Sequence, residues 1–351
     1  MASSCTTFNA VSTRKNETDY PLFVDICKLS ELDLKVYLNE ILRSFYPNAV
    51  QNADGYLYAK GNMPVLLTAH MDTVHKELVK DFFEHKTDTG KTIISSPQGI
   101  GGDDRCGVYM ILRILCSTDF RPSILFCEQE EVGGIGSSKF CKSEYIDDLK
   151  SMKFLIELDR AHAYDAVYYD DGNTEFHDWL EDQTGYQEAW GSFSDISNLS
   201  PACGVSSVNL SCGYYNAHTT NEFVIIEEML ETTETVKYLL DKVTKDGEEL
   251  TQFKYKENVY SFSRYYNQKW GYGNYYNTGY WRDYYNPQTT AVPAAPEKTG
   301  YLEVTYYDAS NSQYLTWAKE VENEDSGWVE FFFNHTDVCM DMISDYDYYE
   351  I

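Results

Sequence analysis

Hydrophobic residues along the first 250 positions fall into alternating strand-like and helix-like segments. Short apolar runs bounded by turn residues predict strands, and these cover 56–59, 65–69, 123–127, 154–158, 165–169 and 204–210. Apolar residues at helical spacing predict helices between them, and these cover 30–45, 104–117, 137–149, 174–182 and 227–243. The alternation predicts an α/β fold in which a mostly parallel mixed sheet is sandwiched by helices.

The pattern changes at both ends of the chain. Residues 1–27 are expected to form an N-terminal arm, and 28–250 the main domain. Residues 251–298 are rich in tyrosine, have little periodicity and end in a linker with polyproline character. Because tyrosine is common at protein interfaces, this segment is expected to bind a protein partner or to self-associate. Apolar and polar residues alternate over 299–351, which predicts a small acidic β-rich module.

The net charge of −28 argues against nucleic acid as a partner and favours cations. Aromatic residues among the Lys and Arg of 254–298 would suit stacking on single strands, but the acidic remainder would repel phosphates. No apolar run reaches the roughly 18 residues of a membrane span, and the first fifteen positions lack the apolar core of a signal peptide. The nine cysteines form no CxxC pair, which is typical of reduced thiols in a cytoplasmic protein.

Side chains that can bind metals follow the predicted strands. His70-Met71-Asp72 follows the strand at 65–69, and Glu130-Glu131 follows the strand at 123–127. Asp159 directly follows the strand at 154–158. Since the carboxyl ends of parallel strands meet at one edge, where open α/β sheets carry their sites, we expect these side chains to converge.

A glycine-rich stretch, Gly-Ile-Gly-Gly-Asp-Asp-Arg-Cys-Gly at 99–107, adds a carboxylate at a predicted helix start. With His218, these residues supply the oxygen and imidazole ligands of a two-metal hydrolytic site, with Asp103 as the candidate bridge. Asp72 would orient His70 through its second ring nitrogen. Of Glu130 and Glu131, one would bind metal and the other would accept a proton from water; the residues alone leave open which does which.

The order of these motifs resembles that of the co-catalytic di-zinc exopeptidases, which include aminopeptidases, peptidase T-like tripeptidases, carboxypeptidases and aminoacylases. The resemblance rests on HMDT at 70–73, GGDDRCG at 101–107, EEVGG at 130–134, ELD at 157–159 and the late His218. It covers roughly residues 28–243 and implies two divalent metal ions. Zinc is expected from the resemblance, and cobalt and manganese accept the same ligand set.

Carried over by motif, the resemblance implies a role for each candidate residue. One metal would be held by His70 and Asp159, the other by Glu131 and His218, and Asp103 would bridge them. Asp103 is preferred to Asp104 because the bridging acid of the family stands four residues before a glycine, here Gly107. Asp72 would orient His70, and Glu130 would be the general base. The gaps between these motifs are too short for the domain that many relatives insert, which predicts the compact type of catalytic domain.

Four further residues are candidates for binding substrate. Ser194 and Asp195 lie in a segment like one that lines the pocket in some relatives, and an ordinary polar turn explains them equally well. Tyr214 or Tyr215 could donate a hydrogen bond to the oxyanion of the tetrahedral intermediate.

The expected activity is that of a metal-dependent exopeptidase, specifically an aminopeptidase acting on short peptides. A carboxypeptidase or an N-acyl amino acid amidohydrolase could use the same site, the latter with an acylated amino acid as substrate. The alternative from a different class is an inactive binding or structural protein that keeps the fold.

Overall fold

The computed structural model describes residues 20–87, 89–246, 249–257, 300–308, 313–321 and 343–350. The chain divides between Tyr284 and Tyr285 into two compact units, and each is described by itself. The described helices, all in the first unit, are Pro21–Cys27 (α1), Glu31–Phe45 (α2), Gly102–Ser117 (α3), Ile135–Cys141 (α4), Ile146–Leu149 (α5), Thr174–Thr184 (α6), Asp195–Cys203 (α7) and Ile226–Lys245 (α8).

The strands of the first unit form two sheets. The large sheet contains Val50–Ala53 (β1), Tyr56–Ala59 (β2), Met63–His70 (β3), Pro122–Cys127 (β6), Phe154–Arg160 (β7), Asp165–Val167 (β8), Gln187–Glu188 (β9) and Ser207–Ser211 (β10). The small sheet contains Phe83–Lys86 (β4), Thr92–Ser95 (β5), Tyr214–Tyr215 (β11) and Phe223–Ile225 (β12).

The large sheet has the strand order β1-β2-β6-β3-β7-β10-β8-β9. Its centre, β6-β3-β7-β10, is parallel. β2 is antiparallel to β6, and β8 is antiparallel to β10. The predicted α/β fold with a mostly parallel mixed sheet is therefore confirmed.

Alternate residues of the central strands face two different cores. Leu66, Leu125 and Leu155 pack in a cluster with side chains of α4, α5 and α7. Their neighbours Leu67 and Ile156 pack on the other face, with side chains of α1, α2, α3, α6 and α8. Because both faces are covered, nearly every position of these strands is apolar, which explains the continuous runs in the sequence.

The small antiparallel sheet, of order β11-β12-β5-β4, was not predicted. Its strands have two to four residues each, too short to give a clear alternation. β4 and β5 lie in the gap between His70 and Asp103, and β11 and β12 flank His218. This sheet therefore joins two segments that carry candidate site residues.

The N-terminal part of the main domain begins earlier than expected. The arm predicted over 1–27 is wrong for its last residues, because Pro21–Cys27 form α1 with Leu22, Phe23 and Ile26 buried. A helix of seven residues is too short to show a periodic pattern. Residues 1–19 lie outside the described part of the chain.

Two other boundaries differ from the sequence expectation. The helix predicted over 137–149 is two helices, α4 and α5, because the hydroxyl of Ser143 accepts a hydrogen bond from the N–H of Tyr145 at 3.3 Å and favours a turn. The main domain also continues past residue 250, since the buried Phe253 packs against Phe154 and Phe176.

The second unit contains three described strands, Gly300–Asp308 (β13), Gln313–Val321 (β14) and Ile343–Glu350 (β15). They form an antiparallel sheet of order β14-β13-β15, within the range predicted to be β-rich. Residues 258–299, most of the tyrosine-rich segment, lie outside the described residues, and so does the interaction predicted for them. Among the described helices, none is both long enough and apolar enough to cross a bilayer.

Candidate metal centre

Three parallel strands deliver the first site residues to one edge of the large sheet. β3 ends at His70, which pairs in register with Cys127, the last residue of β6. Glu130 and Glu131 follow in the turn after β6, and Asp159 is the penultimate residue of β7. The convergence expected from the positions of the apolar runs is thus present in the fold.

His70 is fully buried and faces three carboxylates. Its Nε2 lies 3.0 Å from Oδ1 of Asp103 and 3.4 Å from Oδ1 of Asp159. Its Nδ1 lies 3.3 Å from Oδ1 of Asp72. One ring nitrogen therefore faces Asp103 and Asp159, and the other faces the carboxylate expected to orient the ring.

His218 faces the other side of the same group. Its Nε2 lies 3.2 Å from Oδ2 of Asp103 and 3.1 Å from Oε2 of Glu131. The two oxygens of Asp103 thus face two different histidines, the arrangement that a carboxylate bridging two cations requires.

These spacings fit bound cations. Ligand atoms about 2.0–2.1 Å from a tetrahedral zinc lie about 3.3 Å from one another, close to the contacts around both histidines. Oδ1 of Asp159 and Oε1 of Glu131 are buried and have no hydrogen-bond partner within the described residues. Unpartnered carboxylate oxygens are costly in a buried site unless a cation or donor meets them. The donor set of imidazole nitrogen and carboxylate oxygen therefore suits Zn²⁺, Co²⁺ or Mn²⁺.

Adjacent acids at the start of α3 have different surroundings. Asp104 accepts hydrogen bonds from the N–H of His70 at 3.1 Å and of Gly107 at 2.9 Å, so main-chain donors occupy both of its oxygens. An oxygen of Asp104 does lie within 4.8 Å of ligand atoms of His70 and Asp159. The oxygens of Asp103, by contrast, face the two histidines.

Gly107 brings α3 against the end of β7. A Cβ at this position would lie 2.0 Å from the carbonyl oxygen of Leu158, the residue before Asp159. Only glycine allows this approach, which holds the start of α3 beside the end of β7. The glycine of the sequence motif is therefore explained by packing.

Asp72 also positions the turn after β6. Its Oδ1 accepts the N–H of Glu130 at 3.0 Å, and its Oδ2 accepts the N–H of Glu131 at 3.1 Å. One carboxylate thereby holds the main chain of both glutamates and also faces Nδ1 of His70.

The electrostatics of the centre reflect many buried acids in one place. Burial, followed by the charge of Asp159, raises the pKa of Glu130 to about 9. Burial, followed by the charge of Asp103, raises the pKa of Asp159 to about 7. Hydrogen bonds to Asp103 and Glu131 raise the pKa of His218 to about 10. Both Glu130 and His218 therefore hold protons at neutral pH when no cation is bound.

The pKa values of His70 and Asp103 are shifted in opposite directions. Burial by itself would lower the pKa of His70, but Asp159, Asp103 and Asp72 outweigh it and raise that pKa well above its usual range. Burial would raise the pKa of Asp103, but hydrogen bonds from His218 and His70 outweigh it and lower that pKa. The lowered pKa favours the ionised form of Asp103, the form that a carboxylate needs to bind a cation.

Three of the four candidate substrate residues donate hydrogen bonds within the protein. The hydroxyl of Ser194 donates to Oδ2 of Asp159 at 2.8 Å, so it holds a proposed ligand. Asp195 is fully buried, and neither of its carboxylate oxygens has a hydrogen-bond partner within the described residues. The phenol of Tyr214 donates to the carbonyl of Asp159 at 2.9 Å, and that of Tyr215 donates to Glu228 at 2.6 Å. Both phenol protons are thus donated within the protein in this structure.

The sequence analysis missed two residues beside the centre, the partly buried His75 and the buried Glu222. Both stand close to motif residues, in HMDTVH and HTTNE. Their Nε2 and Oε2 atoms lie 2.7 Å apart, although they are far apart in sequence. Proximity to the motifs was the available signal, but it does not reveal the contact between them.

Neither a protein-family model nor a curated protein matches the chain. Among solved structures, the chain is similar to a tripeptidase from Staphylococcus aureus, with 14% identity, a TM-score of 0.52, and coverage of 65% of this chain and 99% of that one. It is also similar to a TET aminopeptidase from a marine-sediment archaeon of the Thaumarchaeota, with 13% identity, a TM-score of 0.50, and coverage of 67% and 100%. Likeness at this identity shows a shared fold, and it is the fold that the motif order implied.

Proposed function

We propose that this chain, which has the fold of a bacterial tripeptidase and an archaeal aminopeptidase, is a metal-dependent exopeptidase, specifically an aminopeptidase acting on short peptides. The observation that carries the proposal is the position of Asp103, whose two oxygens lie 3.0 and 3.2 Å from His70 and His218. Asp159 and Glu131 stand beside these histidines with an unpartnered buried oxygen each.

In this proposal, His70 and Asp159 hold one divalent cation, Glu131 and His218 hold the other, and Asp103 bridges them. Zinc is the proposed metal. Bound there, the cations supply Lewis-acid polarisation of the scissile carbonyl and a lowered pKa of water. Asp72 keeps His70 in one orientation through Nδ1, 3.3 Å away, which leaves Nε2 for the metal.

Glu130 is the proposed general base. It lies in the same turn as Glu131, and its main chain is fixed by Asp72. Its pKa of about 9 applies to the site without cations, and the positive charge of two bound cations would lower that pKa and leave Glu130 as a carboxylate that can accept a proton. Glu130 would accept the proton of the attacking water and return it to the leaving amine.

A panel of short substrates tests the proposed activity. We expect the zinc-loaded protein to hydrolyse di- and tripeptides with a free amine, and N-acetylation to lower kcat/KM by about 100-fold. Carboxylates near the metals would pair with a substrate ammonium, and losing a charged hydrogen bond costs about 1.5–3 kcal/mol. Initial rates for free-amine, blocked-amine and C-terminally amidated peptides give the measurement.

The same panel separates the alternatives. Release of the C-terminal residue would make the protein a carboxypeptidase, and faster cleavage of N-acyl amino acids would make it an amidohydrolase. Two bound metals without hydrolysis of any substrate would favour the inactive binding protein, which we rank lower because every proposed ligand position holds a competent residue. Rates after treatment with a chelator and after return of Zn²⁺ serve as the control.

The affinity for metal is expected to increase as pH rises from 6 to 8. His218, with a pKa raised to about 10, and His70, with a raised pKa, hold protons throughout this window in the metal-free protein. Each must lose its proton before it can bind a metal, so binding releases protons. The two protons released by the histidines should raise the overall two-metal binding constant about 100-fold per pH unit. Asp159, whose pKa is raised to about 7, adds to this slope below that pH. Calorimetric titration with Zn²⁺ in buffers of different ionisation enthalpy counts the protons, and a count of zero would contradict the prediction.

The location proposed from the cysteines remains cytoplasmic. All seven cysteines in the described part of the chain are free thiols, most of them buried. Free thiols are typical of a reducing compartment.

A further inference from the structure

Glu222 binds the main chain of the loop that carries Asp103. It lies four residues after His218 and only 1% of its surface is exposed. Its Oε2 accepts the N–H of Gly101 at 2.8 Å, and its Oε1 accepts the N–H of Asp103 at 3.0 Å. One carboxylate thus connects the segment of His218 with the loop of Asp103.

His75 connects a third segment to the same carboxylate. Its Nε2 lies 2.7 Å from Oε2 of Glu222, and it follows His70 and Asp72 in the loop after β3. Gly99 makes room for the imidazole, since a Cβ there would lie 2.2 Å from the ring. The backbone of Gly99 also has a φ of +81°, which favours glycine. The glycines of the motif therefore allow a close approach of His75.

Direct packing brings these segments together as well. A Cβ on Gly102 would lie 2.8 Å from both Cβ of Tyr214 and Cγ2 of Val224. Tyr214 belongs to β11 and Val224 to β12, the strands that flank His218. The residue before Asp103 therefore packs directly against the two strands that flank His218.

The proposed ligands of the two metals are held by different parts of the fold. His70 and Asp159 belong to strands of the large sheet, whose pairing holds them. His218 lies on a loop, has a φ of +66°, and its side chain is 56% exposed. The spacing between His218 and Asp103 therefore depends on the contacts between their loops more than on the sheet.

We infer that Glu222, held by His75, is a positioning residue that sets the distance between Asp103 and His218. It would thereby form the second metal position, the one that Glu131 and His218 would hold. The inference rests on the proposed function, because it takes both residues as ligands. Glu222 touches neither metal ligand side chain in this account; it acts through the main chain of Gly101 and Asp103. Partners of this kind typically change metal affinity by about 10–100-fold when they are replaced.

The test compares Glu222→Gln with a matched control, Glu227→Gln, in the full-length protein. Glu227 also accepts hydrogen bonds from a main-chain N–H and a side chain, both of Thr92, but it does not contact the candidate ligands. Zinc affinity is measured by competition with a chromogenic chelator, and Co²⁺ absorption spectra follow the coordination of each ion. We expect Glu222→Gln to weaken the second ion at least tenfold and the first by less than threefold, because the amide of glutamine cannot accept from both N–H groups. Glu227→Gln should change neither affinity by more than threefold.

A second variant keeps the test decisive if Glu222→Gln fails to fold, as judged by circular dichroism of the metal-free protein. His75→Asn removes the contact to Oε2 and leaves the Glu222 carboxylate in place, so it should weaken the second ion by a smaller factor, about threefold to tenfold. Unchanged affinity for the second ion in a folded variant would overturn the inference, and so would equal weakening of both ions.

The outcome for the proposed function is read separately, from hydrolysis by the wild-type protein. If the wild type binds two ions without cleaving peptides, the exopeptidase proposal fails, and selective weakening in Glu222→Gln still supports the positioning role. If the wild type cleaves peptides and Glu222→Gln binds both ions normally, only the positioning role fails. A wild type that binds fewer than two ions overturns both.

Discussion

Replacing Glu130 by glutamine is expected to lower kcat by about 10³-fold while two metal ions remain bound. Glutamine keeps the size of the side chain but cannot accept a proton, and general acid–base catalysis typically contributes about 10²–10⁴-fold. The N–H of residue 130, which donates to Asp72, is unchanged by the substitution. kcat on a free-amine dipeptide and the metal content of the purified protein, by elemental analysis, are the two measurements.

Two other glutamate variants show whether the effect is specific to proton transfer. Glu131→Gln should lose activity together with the second ion, because Oε2 of Glu131 is the atom that faces His218. Glu77→Gln, on an exposed side chain, should keep both ions and full activity. If Glu130→Gln kept its rate within tenfold of the wild type, Glu130 would not be the general base.

Replacing Asp103 by asparagine is expected to abolish hydrolysis and to weaken binding of both ions at least 100-fold. The substitution turns one of the two oxygens that face His70 and His218 into an amide nitrogen, which is not a ligand for these metals. The carboxylate also carries the negative charge between the two proposed cations, so both positions lose it. Zinc competition and hydrolysis rates measure the two losses.

Asp104, the acid next to Asp103 in the sequence, provides a control for this substitution. Burial and the charge of Asp159 raise the pKa of Asp104 well above its usual range, and its oxygens accept from His70 and Gly107. Asp104→Asn removes one of these acceptors, and the unpaired N–H should lower the free energy of unfolding by about 1–3 kcal/mol. We expect the variant to bind two ions and to unfold at a lower temperature. Loss of both ions in Asp104→Asn, with both retained in Asp103→Asn, would reverse the assignment of the two acids.

The strand ends could be predicted from the sequence because burial leaves a local pattern. The runs before His70, Glu130 and Asp159 are apolar at nearly every position, since helices cover both faces of the sheet. Parallel strands then place their ends at one edge whatever the details of packing. The fold class and the meeting of these three segments therefore followed from the order of apolar and polar residues.

The short elements were missed for the opposite reason. α1 has seven residues, and β4, β5, β11 and β12 have two to four each, so none repeats its period often enough to be recognised. Their stability comes from contacts with distant segments, as with Phe23 of α1 against Tyr109 of α3. A single sequence does not contain that information in any local window.

The sequence by itself determined which residues could serve as ligands. It also determined that most of them stand at one edge of a sheet, because hydrophobic burial repeats along the chain with the period of each element. Only the tertiary structure decided that the two oxygens of Asp103 face two different histidines, that Tyr214 donates to Asp159, and that Glu222 connects three segments. Those contacts depend on ångström-scale approaches between segments far apart in sequence, such as Gly99 against His75. Hydrogen bonds require that accuracy, whereas burial does not.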